Sequence, residues 1–130
     1  MVSNNSAGAH SVIYGKTINH VLELDLILSD GTEITVGELD EPAVQKKCEQ
    51  QDLEGQVYRE VIRLSHEHAE EIEKRYPKIL RRVGGYNLDE FIKKQAFNLA
   101  RIVVGSEGTL ATVVGAKVQA IPLPKEKVLG

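Results

Sequence analysis

Between positions 22 and 28 leucine occupies every second residue, Leu22, Leu24, Leu26 and Leu28, and Glu23 and Asp25 stand between the first three. A period of two marks a strand with one buried face, because successive side chains of an extended chain point to opposite sides. The pattern predicts a half-buried strand whose four leucines face a core. Asp30-Gly31 follows at once, and Ile34 and Val36 alternate with Thr35 beyond it. Asp-Gly between apolar strands predicts a two-residue hairpin, since glycine accepts the positive φ that the turn demands. A last strand is predicted over 111–120, with Val114, Ala116, Val118 and Ala120 on one face, ended by Pro122 and Pro124.

After Gly37 the sequence turns charged and helical. Pro42 suits a helix N-terminus, where its missing N–H leaves nothing unpaired, and a short helix to about Gln50 is predicted. From Leu53 to Tyr76, the residues Leu53, Val57, Val61, Leu64, Ile72 and Tyr76 trace one stripe of a single long amphipathic helix. Asp52 is placed to cap it and Pro77 to stop it. Glu70 with Lys74 and Glu71 with Arg75 stand at i,i+4 on its solvent face. Further on, Asn87 and Glu90 have capping-box spacing, which predicts a short helix carrying Leu88, Phe91 and Ile92. Periodicity leaves the run Phe97 to Val104 open between helix and strand.

The 130 residues predict one α+β domain, with a mixed or mainly antiparallel sheet packed by helices. A net charge of −3 argues against a nucleic-acid footprint. The single Cys48 excludes an internal disulfide framework and a cysteine-rich metal site. No apolar run approaches the roughly 18 residues of a membrane span. The expectation is a cytoplasmic protein.

Most polar candidates have plain structural readings. His66 and His68 point about 200° apart on a helix and cannot share an ion, so no metal is expected and His68 reads as a core-edge residue. Cys48 has no neighbouring base to activate it. Arg81 and Arg82, beside a Gly-Gly break, offer one alternative function, a free-standing module that recognises an acidic ligand or partner.

Two other segments differ. Met1 to Gly15 is small and polar, and on composition alone it reads as an N-terminal tail. Gly105-Ser106-Glu107-Gly108-Thr109 is a glycine-flanked turn whose backbone can approach a ligand closely and turn N–H groups onto an anion. It lacks the Lys-Ser/Thr ending of a Walker A loop, and it leads into a strand and not the helix of a dinucleotide fingerprint.

The run Asn4-Asn5-Ser6-Ala7-Gly8-Ala9-His10-Ser11-Val12-Ile13-Tyr14-Gly15, the leucine strand with Asp30-Gly31, and Val104-Gly105-Ser106-Glu107-Gly108-Thr109-Leu110 together resemble the FAD-linked oxidases of the vanillyl-alcohol oxidase (PCMH-type) superfamily. The likeness spans nearly the whole chain and covers the second half of that family's FAD-binding domain. Arg75-Tyr76-Pro77-Lys78-Ile79 and Arg81 to Asp89 narrow it to the branch of bacterial FAD-dependent D-2-hydroxyacid dehydrogenases, some fused to an iron-sulfur module.

The resemblance implies FAD as cofactor, a small D-2-hydroxy acid, such as D-lactate, glycolate or D-2-hydroxyglutarate, as substrate, and an electron-acceptor partner through which the protein would sit at the inner membrane. It implies that Ser3, Asn4, Asn5, Ser6, Ala7 and Gly8 lie along the flavin. Tyr14 and Gly15 complete that motif, and His10 stands either against the flavin or in packing. Gly105, Ser106, Glu107, Gly108 and Thr109, continuing to Val113, match the loop that closes on FAD from the other side. No residue is assigned as catalytic acid or base. Family members carry an earlier FAD subdomain and a later cap domain. The 130 residues are therefore expected to be a partial FAD-binding domain of a longer enzyme, binding FAD weakly or not at all in isolation, and self-associating through a sheet face left open.

Overall fold

The computed structural model describes residues 1–79 and 82–122, so Arg81 and Pro124 lie outside the described residues. Four strands, β1 (Val21–Ile27), β2 (Glu33–Leu39), β3 (Phe97–Asn98) and β4 (Thr112–Val118), form one sheet in the order β3-β2-β1-β4, each neighbouring pair antiparallel. The helices are α1 (Ser11–Tyr14), α2 (Glu41–Glu49), α3 (Leu53–Glu67), α4 (Ala69–Arg75) and α5 (Ala100–Val103). The α+β expectation holds, with an entirely antiparallel sheet.

The β1–β2 hairpin forms where Asp30-Gly31 places it, with a longer turn. Leu28 N–H bonds Thr32 O and Gly31 N–H bonds Leu28 O, enclosing three residues with Gly31 at φ +85°. Asp30 selects this form by accepting a hydrogen bond from Thr32 N–H at 2.9 Å. Leu24, Leu26 and Leu28 are buried as predicted, but Leu22 is 40% exposed and Val21 is buried in its place. The cause is a bulge: Val21 pairs with Val118 and Glu23 with Lys117, so Leu22 is an extra residue that reverses the alternation. A second register shift makes Val114 extra on β4, between Val113 opposite Leu26 and Gly115 opposite Asp25. Val114 is consequently 59% exposed and Val113 packs on the core in its place, while Val118, opposite the buried Val21 on this edge strand, is 54% exposed.

The short helix α2 begins as expected, with Asp40 capping Ala43 N–H and Pro42 in the first turn. The predicted long helix is two, because His68 leaves helical geometry at φ −108°, ψ 16° and the chain bends there. His68 is exposed and not at the core edge. The buried line of α3 is also rotated from the predicted stripe, running through Glu54, Tyr58, Val61 and Ser65. Glu54 is tolerated there because Lys47 Nζ bonds its carboxylate at 2.6 Å. Gly55 is required by contact, since a Cβ at that position would overlap the backbone of Gln50.

Phe97 to Val104 resolves into both alternatives. Phe97 and Asn98 pair with Leu39 and Glu38 of β2, and then Asn98 Oδ1 accepts from Ala100 N–H and turns the chain into α5. Leu99, Ala100, Ile102, Val103 and Val104 join Leu24, Leu26, Val36, Tyr58 and Val61 in one core, and Tyr58 stacks on Phe97 with ring centroids 5.7 Å apart. The loop that leaves α5 therefore starts from the most firmly packed part of the molecule.

Candidate functional site

That loop is Gly105 to Thr109. Gly105 stands at φ +85°, and a Cβ there would lie 3.1 Å from Asn5 Cβ and 3.4 Å from Val83 O, so both conformation and space call for glycine. Gly108 (φ +78°) and Glu107 (φ +54°) are also left-handed. Two backbone bonds join the loop to the N-terminus, Gly105 N–H to Val2 O at 3.0 Å and Glu107 N–H to Ser3 O at 2.9 Å. Two small-residue segments a hundred positions apart are thus one structural unit.

The N-terminal tail reading is corrected by this contact. Asn5 is fully buried at φ +46°, and its Oδ1 accepts from Ile18 N–H at 3.0 Å. Thr17 fixes the next residue by donating both N–H and Oγ1 to Ser6 O. An ordered N-terminus follows from these long-range bonds, which composition does not report.

Below the loop, Asn87 does not cap a helix as its spacing suggests. It is 1% exposed, and Nδ2 donates to Arg101 O at 3.1 Å and to Val104 O at 2.7 Å, carbonyls at the end of α5. The residues after it make only a single 3-10 turn, Leu88–Glu90. Tyr86 Oη lies 2.8 Å from Thr109 Oγ1, and Thr109 Oγ1 donates to Ser106 O at 2.6 Å. Tyr76 Oη in turn holds Tyr86 O at 2.8 Å. Asn87 and Tyr86 were missed as site residues because their partners lie 14 to 23 positions away.

The loop is a less open anion cradle than its glycines suggest. The N–H groups of Gly105, Ser106, Glu107 and Thr109 are all spent on backbone carbonyls, and among the described residues Gly108 alone of the five has an N–H with no backbone partner. Gly105 and Ser106 are buried, whereas Glu107, Gly108 and Thr109 are exposed. In the N-terminal segment Asn4 and Ala7 also keep N–H groups without a partner among the described residues. Asn5, whose Cβ lies against Gly105, has a buried Nδ2 with no hydrogen-bond partner among the described residues. A buried amide donor left unpaired costs about 1–3 kcal/mol, so this atom marks where an acceptor is lacking.

Other predicted residues fall outside this unit. His10 precedes α1 and Tyr14 ends it, with ring centroids 6.5 Å apart, and no hydrogen bond among the described residues ties either to the 105–109 loop. Gly15, at φ +86°, packs against Asn19. Val113 sits in β4 against the core. Arg82 is not a free anion site: it pairs with Asp89, lies 4.8 Å over the Tyr76 ring, and its side chain is 11% exposed. Lys16 donates to Arg82 O at 2.9 Å, and burial, then the Arg82 charge, lowers its pKa. Glu90 pairs with Arg101 at 2.5 Å and with Lys93; burial raises its pKa, but these bonds outweigh burial and hold it below the usual carboxylate range.

No family model matches the chain, and no solved structure matches it. Curated proteins do. The chain is 37% identical over 130 residues to a D-2-hydroxyglutarate dehydrogenase of Pseudomonas putida, a match that covers 99% of the chain and 13% of that protein. It is 33% identical over 127 residues to a protein of the same name from Pantoea ananatis, and 30% identical over 127 residues to one from Escherichia coli; each match covers 96% of the chain and 12% of the relative. The chain is therefore similar, along nearly its whole length, to one segment of dehydrogenases about eight times as long. The D-2-hydroxyacid dehydrogenase branch reached from the motifs is the one to which these relatives point.

Proposed function

We propose that the chain forms one side of an FAD site in a longer flavoenzyme that oxidises a D-2-hydroxy acid, D-2-hydroxyglutarate first among the candidates. The observation that carries the reading is the joining of the N-terminal turn to the 105–109 loop, with the buried Asn5 Nδ2 in that turn lacking a partner among the described residues. The relatives' names support the substrate class, and the chain's 12–13% share of their length supports a partial site.

The residues fit the cofactor in chemistry. FAD presents a pyrophosphate and ring carbonyl oxygens that accept hydrogen bonds, and this surface offers the N–H groups of Asn4, Ala7 and Gly108 as donors, while Asn5 Nδ2, buried within the same turn, has no partner among the described residues. Glycine at 108 keeps the loop surface open, since nothing lies within 4 Å of where its Cβ would be. When bound, the flavin supplies the two-electron acceptor for hydride from the substrate α-carbon. The chain's own part is to bind and orient: Asn87, Tyr86 and the Val2 and Ser3 carbonyls hold the loop in place before any ligand arrives. The same reading has the exposed side chains Leu22, Val114 and Val118 covered in the longer protein, or between copies when the segment is isolated.

The test uses the longer polypeptide that carries this segment. Asn5→Leu and Gly108→Val are expected to lower the flavin retained per protein by about tenfold, a loss near 1.4 kcal/mol, read from flavin absorbance after gel filtration. Full retention in both variants overturns the placement. For the 130 residues alone, an FAD titration showing micromolar affinity overturns the partial-site reading.

A further inference from the structure

A separate concavity among the described residues is not made by the loops described above. It is an open groove of about 900 Å³ between α2, α3 and the approach to β3. Its floor is apolar and half-buried, made by Leu39, Val44, Cys48, Ile62 and Phe97. Its charged rim has one sign: Asp40, Glu41 and Glu49 line it, and none of its lining residues is Lys or Arg. Asp40 is engaged in capping α2, but Glu41 and Glu49 have no ion-pair partner among the described residues. The cations of α2 do not neutralise this rim: Lys47 reaches away to the buried Glu54, and Lys46 does not line the groove. Helix α2 fully buries none of its own side chains.

An apolar trough open along its length and edged by unpaired carboxylates has the complement of an amphipathic helix whose apolar face is flanked by lysine or arginine. We propose that this groove docks a basic amphipathic segment of a second, different protein. The commitment to a cationic partner rests on charge: a neutral apolar segment would leave Glu41 and Glu49 beside a desolvated surface with nothing to offset them. The proposal is independent of the FAD reading, since it shares none of the residues of the 105–109 unit.

Cys48, the only cysteine, lies on the groove floor and serves as a built-in footprint. The probe is a dye-labelled Leu/Lys helical peptide of about 15 residues, with a Leu/Glu twin as control. The Leu/Lys peptide is expected to bind in the micromolar range by anisotropy and to slow Cys48 alkylation by about tenfold at saturation. Glu41→Gln with Glu49→Gln is expected to weaken it by about fivefold or more, as is raising the salt to about 0.5 M. Val44→Arg, which sets a cation on the floor, is expected to abolish binding, and this arm holds even if Cys48 reacts too slowly to follow. Binding that leaves Cys48 unprotected, equal protection by the Leu/Glu twin, or unchanged affinity in Val44→Arg overturns the proposal. So does protection that rises with protein concentration in the absence of peptide, which would make a second copy the occupant.

Discussion

Replacing Asn87 tests whether the loop is held from beneath. Arg101 O and Val104 O are end-of-helix carbonyls, and the amide that would ordinarily serve Arg101 O, Gly105 N–H, is given to Val2 O instead. Asn87→Ala therefore removes two hydrogen bonds of about 0.5–1.5 kcal/mol each and leaves two carbonyls in a site that is 1% exposed. The expected loss is about 2–4 kcal/mol, a large part of the 5–15 kcal/mol typical of a domain. With a urea slope near 2 kcal/mol/M, the midpoint should fall by about 1–2 M, followed by far-UV ellipticity because the chain has no tryptophan. Asn87→Asp sharpens the test at nearly constant shape. It sets a carboxylate oxygen against two carbonyl oxygens, so its folded pKa is raised above about 3.9 and the protonated form, able to donate, is favoured. Its destabilisation is then full at neutral pH, where it should exceed that of the alanine variant, and should shrink as pH falls through the raised value. An alanine variant within about 0.5 kcal/mol of the parent, or an aspartate variant milder than alanine at neutral pH, refutes the strut.

Two further outcomes follow from neighbouring geometry. Glu90 has a folded pKa below its unfolded value of about 4.3, so its pairs with Arg101 and Lys93 add stability above that pH and lose it as pH falls through the folded value; Arg101→Met should be less stable than the parent at neutral pH, with the gap closing below about pH 4 in acid titrations of the unfolding midpoint. Gly55→Ala would by helix propensity alone stabilise α3 by about 1 kcal/mol, but its Cβ meets the Gln50 backbone, so thermal melts should instead show a loss of about 1–3 kcal/mol, and a gain would refute the close packing.

What could be read from the sequence was local. The hairpin, the helix start at Pro42, the Asp52 cap and the strand character of residues 112–118 each depend on neighbours within a few positions, and each formed. The misread features depend on partners far along the chain. Leucine alternation cannot show that Leu22 is expelled, because the bulge is fixed by the register with β4 some ninety residues later. The helix stripe missed Tyr58 because its burial is decided by stacking on Phe97. Asn87 has the spacing of a cap, and only the fold supplies it with two better acceptors. The glycines of the 105–109 loop were legible as a feature, yet their cause, contact with an N-terminus that reads as a tail, was not.

The same long-range logic bears on how a binding surface is maintained. Asn5 and Glu107 are non-glycine residues in the left-handed region, a conformation that costs an ordinary residue about 1–2 kcal/mol, less for asparagine. Beyond the local bond from Asn5 N–H to Val2 O, both are tied at long range: Asn5 Oδ1 accepts from Ile18 N–H and Glu107 N–H donates to Ser3 O. Strain of this kind persists only where the surroundings over-determine it, and here they do, because α5 is packed into the core immediately before the loop and Asn87 fixes its end. The apolar run from Leu99 to Val104 thus does two things at once. It fills the space above β1 and β2, and it fixes the starting point of a loop whose outer residues, Glu107 to Thr109, remain exposed. The two bonds that join the loop to the N-terminal turn, Gly105 N–H to Val2 O and Glu107 N–H to Ser3 O, therefore depend on where the docked α5 presents the loop.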